Sequence, residues 1–186
     1  MTIQLSRLQK ASLIITFIEK LKENGSWGGE THVQKAMYFL QHMTELPMGF
    51  TFILYKHGPF SFDFRDELSG MVADGLLVNE IIAFPYGPSL NPTPAGKRIR
   101  DHFFNSIQIY QNKLDFVAKY LGNKGVVELE RMGTALYVTL EKKELDQENR
   151  SNRIIQLKPH IRIDEAREAV QQVDEMRNCF EQNFHV

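Results

Sequence analysis

The stretch FILYKHGPFSFDFRDELSGMVADGLL, Phe52 to Leu77, decides how this chain is read. The run Phe50 to Tyr55 is rich in aromatic and branched residues, the composition of a strand. Gly58-Pro59 turns the chain. Ser61 is placed to cap a helix, and Asp63 suits the positive end of that helix dipole. Phe64, Leu68, Met71 and Val72 then fall at i, i+4, i+7 and i+8, the spacing of one buried face. Gly75 closes the helix. Strand, corner and amphipathic helix in this order is the layout of many DNA-reading winged helices. Yet the helix carries Asp63, Asp66, Glu67 and Asp74 against Arg65 alone.

The flanking sequence extends the pattern on both sides. Upstream, Ser6 with Gln9 makes a capping box, and Leu8, Ala11, Ile14, Ile15, Ile18 and Leu21 recur at helical spacing until Asn24-Gly25. A loop, Ser26 to Glu30, holds the single tryptophan. Thr31 with Gln34 reads as a second capping box, followed by an apolar face of Val33, Met37, Phe39, Leu40 and Met43 up to Leu46-Pro47. Downstream, Leu76 to Phe84 is strand-like, Pro85-Tyr86-Gly87-Pro88 is a turn, and Ser89-Leu90-Asn91 begins a return strand. Thr93-Pro94 is a cap followed by proline at the first helical position.

The expected fold is therefore α+β and mainly helical. A winged-helix-like part with a small β-hairpin wing spans 1–93, and a helical C-terminal part, 94–186, packs on it as one compact unit. In that second part Pro94 to Leu121 reads as one long helix or two in line, and Val126 to Leu140 as another. Glu141 to Ser151 reads as a solvated charged connector, and Asn152 to Leu157 as a short helix ended by Pro159. Asp164 is expected to cap the last helix, which runs to about Glu181.

Composition narrows the partners. The 186 residues are 42% hydrophobic and 24% charged, ordinary for a globular chain that buries roughly 70% of its unfolded surface without disulfides. A net charge of −1 provides no global positive field, so a nucleic-acid site has to be a local patch. Between Phe50 and Ala95 the only bases are Lys56 and Arg65, and the wing, Asn79 to Pro92, has none. Specific DNA-binding surfaces are usually far more positive. Two basic clusters remain: Lys97, Arg98 and Arg100, and then Arg150, Arg153, Lys158 and Arg162. Each has acids close by, the pattern of a solvated charged face.

The lone Cys179 excludes an internal disulfide and a multi-cysteine zinc site, reads as an inert structural thiol and fits a reducing cytoplasm. The apolar run Leu13 to Ile15 is too short for a membrane span, and the expected location is cytoplasmic. The six histidines form no metal-ligand spacing, and neither a Walker loop nor G-x-G-x-x-G occurs, so no metal or cofactor is expected. His57, Ser61 and Asp63 are residue types used in nucleophilic catalysis, but Ser61 has a simpler role as a cap and no G-x-S-x-G surrounds it. A deep pocket lined by His57 and polar neighbours is the observation that would revive an enzymatic reading. Phe60, Phe62 and Phe64 cannot all face one side of a helix, which leaves room for an exposed ring; the simpler reading is a core hinge with a partly covered ring, the sharper one an aromatic anchor for a partner.

VQKAMYFLQ (33–41) followed by YKHGPFSFDFRDELSGMVADGLL (55–77) resembles the core of small bacterial proteins typified by YwgA. NPTPAGKRI (91–99) is similar to their helix start after the wing, and LERMGTALYV (129–138) and LKPHIRIDEAREAV (157–170) to their C-terminal half. More distantly the chain resembles the Panacea domain, the SocA-like group of antitoxins and proteolytic adaptors. The resemblance spans roughly Leu8 to Val173. It implies a partner protein, a toxin or a protease substrate, and no catalytic residues. The expectation is a non-enzymatic protein-binding module with Tyr55, His57, Phe60 and Arg65 at its binding corner. The alternative is a winged-helix transcriptional regulator that contacts DNA through Lys97, Arg98 and Arg100, as a homodimer through the long helix.

Overall fold

A computed structural model of the chain describes residues 4–81, 87–141 and 146–184. It is mainly helical, with two small antiparallel sheets of two strands each. Helix α1 (Arg7–Glu23) carries apolar residues on nearly every side, and Leu13, Ile14, Ile15, Phe17 and Ile18 are completely buried. A helix apolar all round belongs in the middle of a domain. Here α4 (Pro94–Ile107) and α5 (Gln111–Leu121) pack directly against α1. Helix α2 (Glu30–Met43) bridges from α5 to α6 (Val126–Glu141), which in turn carries α7 (Gln147–Leu157) and α8 (Ile163–Phe184). One cluster of buried apolar side chains runs from Leu5 through Met176 and draws on both halves of the sequence. Among the described residues no helix is long and apolar enough to cross a membrane.

The local signals around α1 act as their chemistry dictates. Ser6 and Gln9 form the reciprocal capping box. Ser61 Oγ accepts from Phe64 N–H at 3.1 Å at the start of α3 (Phe62–Ala73), and Thr93 Oγ1 accepts from Gly96 N–H at 3.1 Å. The expected long helix is two, α4 and α5, joined by a 3₁₀ turn at Gln108–Tyr110. Gly96 has a second role. A Cβ there would lie 2.1 Å from the Leu76 carbonyl oxygen, so only glycine lets α4 press against the turn that follows α3.

Several expectations are corrected. The second capping box does not form: α2 begins two residues earlier, with Gly29 as its N-cap and no side-chain cap. Gln34 is buried instead, and its amide grips the Ser61 backbone, donating to the carbonyl at 3.0 Å and accepting from the N–H at 3.2 Å. The strand expected over Phe50 to Tyr55 shrinks to β1 (Ile53–Tyr55). Gln41 takes both backbone groups of Phe50, and Asp63 takes the Thr51 N–H, which removes those residues from any ladder. β1 pairs with β2 (Gly58–Phe60) as a tight hairpin, Tyr55 opposite Gly58.

The wing hairpin is β3 (Leu77–Glu80) with β4 (Ser89–Pro92). The expected turn at Pro85-Tyr86 and the strand end at Phe84 lie outside the described residues. Gly29, in the loop between α1 and α2, makes a single antiparallel bridge to Ser89.

The solvated connector is also corrected. From Gln147 onward it is the first part of α7, capped by Asp146, and Arg150 and Ser151 are buried. Arg150 grips Asp174 of α8 with two parallel bonds of 2.7 and 2.6 Å. Helix α8 starts at Ile163, so Asp164 stands in its first turn, where it holds Arg162 at 2.7 Å rather than capping the helix. The second basic cluster therefore does not present a joint phosphate-binding face: Arg150, Lys158 and Arg162 are each tied to other groups. In the first cluster, Arg100 is bound to Glu19 at 2.6 Å and Asp101 at 2.7 Å. Lys97 and Arg98 stay exposed without ion-pair partners among the described residues.

The acids of α3 have structural partners too. Glu67 and Asp74 hold Arg7 of α1 at 3.2 and 2.7 Å, and Asp63 anchors Thr51 at 2.9 Å. Phe64, Leu68 and Met71 turn inward, as the spacing predicts.

Candidate functional site

The β1–β2 hairpin is the point where the quoted sequence stretches meet. Its turn, Lys56-His57, leads into Gly58, whose φ of +88° lies in the left-handed region open to glycine. A Cβ on Gly58 would also lie 3.3 Å from the Glu130 carbonyl and 3.4 Å from Lys35 Nζ. Gly133 of α6 makes the matching concession, since a Cβ there would lie 3.0 Å from Pro59 Cδ. The two glycines allow the hairpin to sit directly on α6.

Behind the turn lie two buried lysines. Lys35 of α2 donates to the His57 carbonyl. Lys158, just after α7, donates to the carbonyls of Tyr55 and, at 2.7 Å, Lys56. Three successive backbone oxygens thus meet two ammonium groups. Burial pushes Lys35 down from 10.5 to about 8; the Glu130 carboxylate works against that shift and Lys158 adds to it. Lys158 is lowered by burial as well, with Glu130 again opposing. Glu130 itself is only 7% exposed, and its two oxygens face two imidazoles: His160 Nε2 at 3.0 Å and His57 Nδ1 at 3.5 Å.

In front of this cluster is a cavity of about 380 Å³, lined by Lys56, His57, Glu130, Arg131 and His160, with Val127 and Ile161 as apolar walls. Arg131 is fixed by Glu165 at 2.5 Å. Among the described residues no group of three or more His, Cys, Asp or Glu side chains is arranged to hold a metal ion. Ser61 and Asp63 are committed to the α3 cap and to Thr51, so His57 works with Glu130 and not with them.

The other face of the hairpin is aromatic. Tyr55, Phe60 and Phe62 form a triangle of rings with centroids 5.1 to 6.0 Å apart. Arg65 lies over Phe62 at 5.3 Å and Phe60 at 6.0 Å. Tyr55 is 54% exposed and Phe62 41%, and Ile53 beside them is also exposed. Of the expected corner residues, Tyr55, Phe60 and Arg65 gather on this face, while His57 turns to the cavity. Phe62 belongs to the patch and Phe64 to the core.

Sequence reasoning missed Glu130, Lys35 and His160 as a group. One signal was present: Lys35 lies between Val33 and Met37 in the most apolar part of α2, where a lysine needs a buried acceptor. The partners come from positions 95 and 125 residues away, and nothing local couples them to it.

Compared with known proteins, the chain matches no family model and no curated protein.

Proposed function

We propose that this chain is a non-enzymatic protein-binding module, antitoxin-like or adaptor-like, that meets its partner through the aromatic face of the β1–β2 hairpin. The observation that carries the reading is the ring triangle Tyr55, Phe60 and Phe62 under Arg65, in which Tyr55 and Phe62 are exposed and Phe60 is half-buried. Tyrosine and arginine are the residue types that dominate interface energetics, and clustered exposed apolar surface is a common mark of a contact site. The rings are also held in place before any partner arrives, because Gln34, Lys35 and Lys158 fix the backbone beneath them. Such preorganisation lowers the ordering cost of binding.

We read the N-terminal part as winged-helix-like. The Gly29–Ser89 bridge supports this, since it adds a minimal third strand beside the β3–β4 wing, with β1–β2 inserted ahead of α3. The DNA-reading alternative has weaker support. Of its three contact residues Arg100 is tied to Glu19 and Asp101, and the acids of α3 face outward beside the wing. The cavity beside His57 favours a second reading, a small-molecule site. Among the described residues no hydroxyl or thiol lines it, so chemistry there would rest on proton transfer by His57 or Glu130.

The test is co-purification from the native cells, comparing wild type with a Tyr55→Ser/Phe62→Ser variant. A stoichiometric partner retained by the first and lost by the second, with unchanged circular dichroism, is the expected result. A partner retained equally by both, or a native chain that elutes alone under conditions where its neighbouring genes are expressed, refutes the reading.

A further inference from the structure

We propose that the cavity beneath the β1–β2 turn is a binding site for a compact oxyanion, a carboxylate or phosphate group carried by a small molecule. This site is separate from the aromatic face and does not depend on the protein-partner reading.

The case rests on the sign and placement of charge. The whole chain carries a net −1, yet Lys56 and Arg131 line the cavity and Lys35 and Lys158 stand behind its turn, while among the described residues Glu130 is the one carboxylate in the lining and Glu165 stands beside Arg131. Glu165 is occupied by Arg131. Glu130 faces both histidines and is close enough to both buried lysines to interact with their charges. The cations that line or back the cavity therefore exceed its carboxylates. Lys56 is exposed at its rim and has no ion-pair partner among the described residues. A surplus of this kind inside a concave, partly water-excluded site attracts an anion far more strongly than the same charges on a flat face.

Donor geometry agrees. Glu130 engages one nitrogen of each imidazole, Nδ1 of His57 and Nε2 of His160. Each ring keeps its other nitrogen for a ligand, and both side chains are more than half exposed. His160 Nε2 is within hydrogen-bond distance of one Glu130 oxygen and His57 Nδ1 stands 3.5 Å from the other, so the remaining nitrogen of each ring is the one that can donate to an incoming oxygen. Glu130 thus acts as the post that orients two donors. Val127 and Ile161 form the apolar wall for the ligand body. A volume of about 380 Å³ is larger than a bare ion and lies at the small end of sites for metabolites.

The experiment is an imidazole-resolved NMR titration of the intact chain with sodium phosphate, and separately with sodium acetate, at constant ionic strength set by chloride. His57 and His160 are expected to shift and saturate in the millimolar range with at least one of the two, while the exposed His102 on α4 does not. Phosphate alone saturating assigns a phosphoryl group; acetate saturating assigns a carboxylate. Lys56→Glu, at an exposed position, is expected to weaken binding by roughly tenfold. Lys97→Glu, with the same change in net charge, is expected to leave it unchanged. No saturable shift with either anion, shifts at His102 equal to those at His57, or equal losses in the two variants overturn the proposal.

Discussion

Lys35 offers a direct check on the hairpin's buried support. The residue is 3% exposed and its proton affinity drops from 10.5 to about 8 on folding, chiefly through burial. Between those two values the unfolded chain holds a proton that the folded chain has released. Stability therefore rises with pH across this window, and the burial penalty is fully present below about 8. Working the two affinities through proton linkage gives a gain of about 2–3 kcal/mol between pH 7 and pH 10. Lys158 is lowered in the same direction and adds to the slope. Buried Tyr38 is raised and acts with the opposite sign once the unfolded tyrosine begins to ionise, so pH 10 is the useful ceiling. The assay is urea unfolding followed by circular dichroism at pH 7, 8, 9 and 10 for wild type and Lys35→Met. The wild type should gain stability over this range, and the variant should gain about 2–3 kcal/mol less. Parallel curves for the two proteins would mean that Lys35 is solvated, and the account of the turn would fail with it.

Two further substitutions test how the site is held. Gln34→Ala leaves the buried N–H of Ser61 without its partner and its carbonyl with the Arg65 N–H alone, and a loss of about 1–3 kcal/mol in urea unfolding is expected; a loss below ~0.5 kcal/mol would show that the clamp is not formed. Gly96→Ala places a methyl group 2.1 Å from the Leu76 carbonyl oxygen, so α4 must move, with an expected cost above ~3 kcal/mol and a matching fall in Tm. An unchanged Tm would refute the close approach of α4 to the α3–β3 turn.

The parts of this structure that were legible in the sequence are those whose causes are local. Ser6, Ser61 and Thr93 each cap a helix through a bond spanning three residues, and the apolar spacing of α3 names its buried face directly. The misreadings share the opposite cause. Thr31 looked like a cap because Gln34 followed at the right distance, but Gln34 was claimed by Ser61, 27 residues away. The stretch before Asn152 looked solvated because it is charged, but Arg150 finds Asp174 and Thr139. The candidate site was half legible. Tyr55, His57, Phe60 and Arg65 are close together along the chain, whereas the Glu130 cluster is assembled from α2, α6 and the α7–α8 junction. Ion pairs over such separations leave no periodic trace.

The acidity of α3 and the basicity beneath the hairpin have a common explanation in where backbone groups need partners. A turn that enters Gly58 at φ +88° sends the carbonyls of Tyr55, Lys56 and His57 towards the interior. Buried carbonyls require donors. A lysine ammonium brings three donors and no acceptor, so two lysines suffice where apolar side chains would leave three oxygens unmet. Their charge then requires a carboxylate, which Glu130 supplies from α6, and the imidazoles of His57 and His160 complete its shell. On α3 the demand is reversed: Arg7 of α1 and the Thr51 N–H require acceptors, and Glu67, Asp74 and Asp63 meet them. A helix placed like a reading helix thus carries the wrong sign for phosphate because its acids tie it to α1 and to the strand before it. Lys35 and Lys158 are turned towards the underside of the hairpin, and its outer face carries the rings of Tyr55, Phe60 and Phe62 with Arg65 over them.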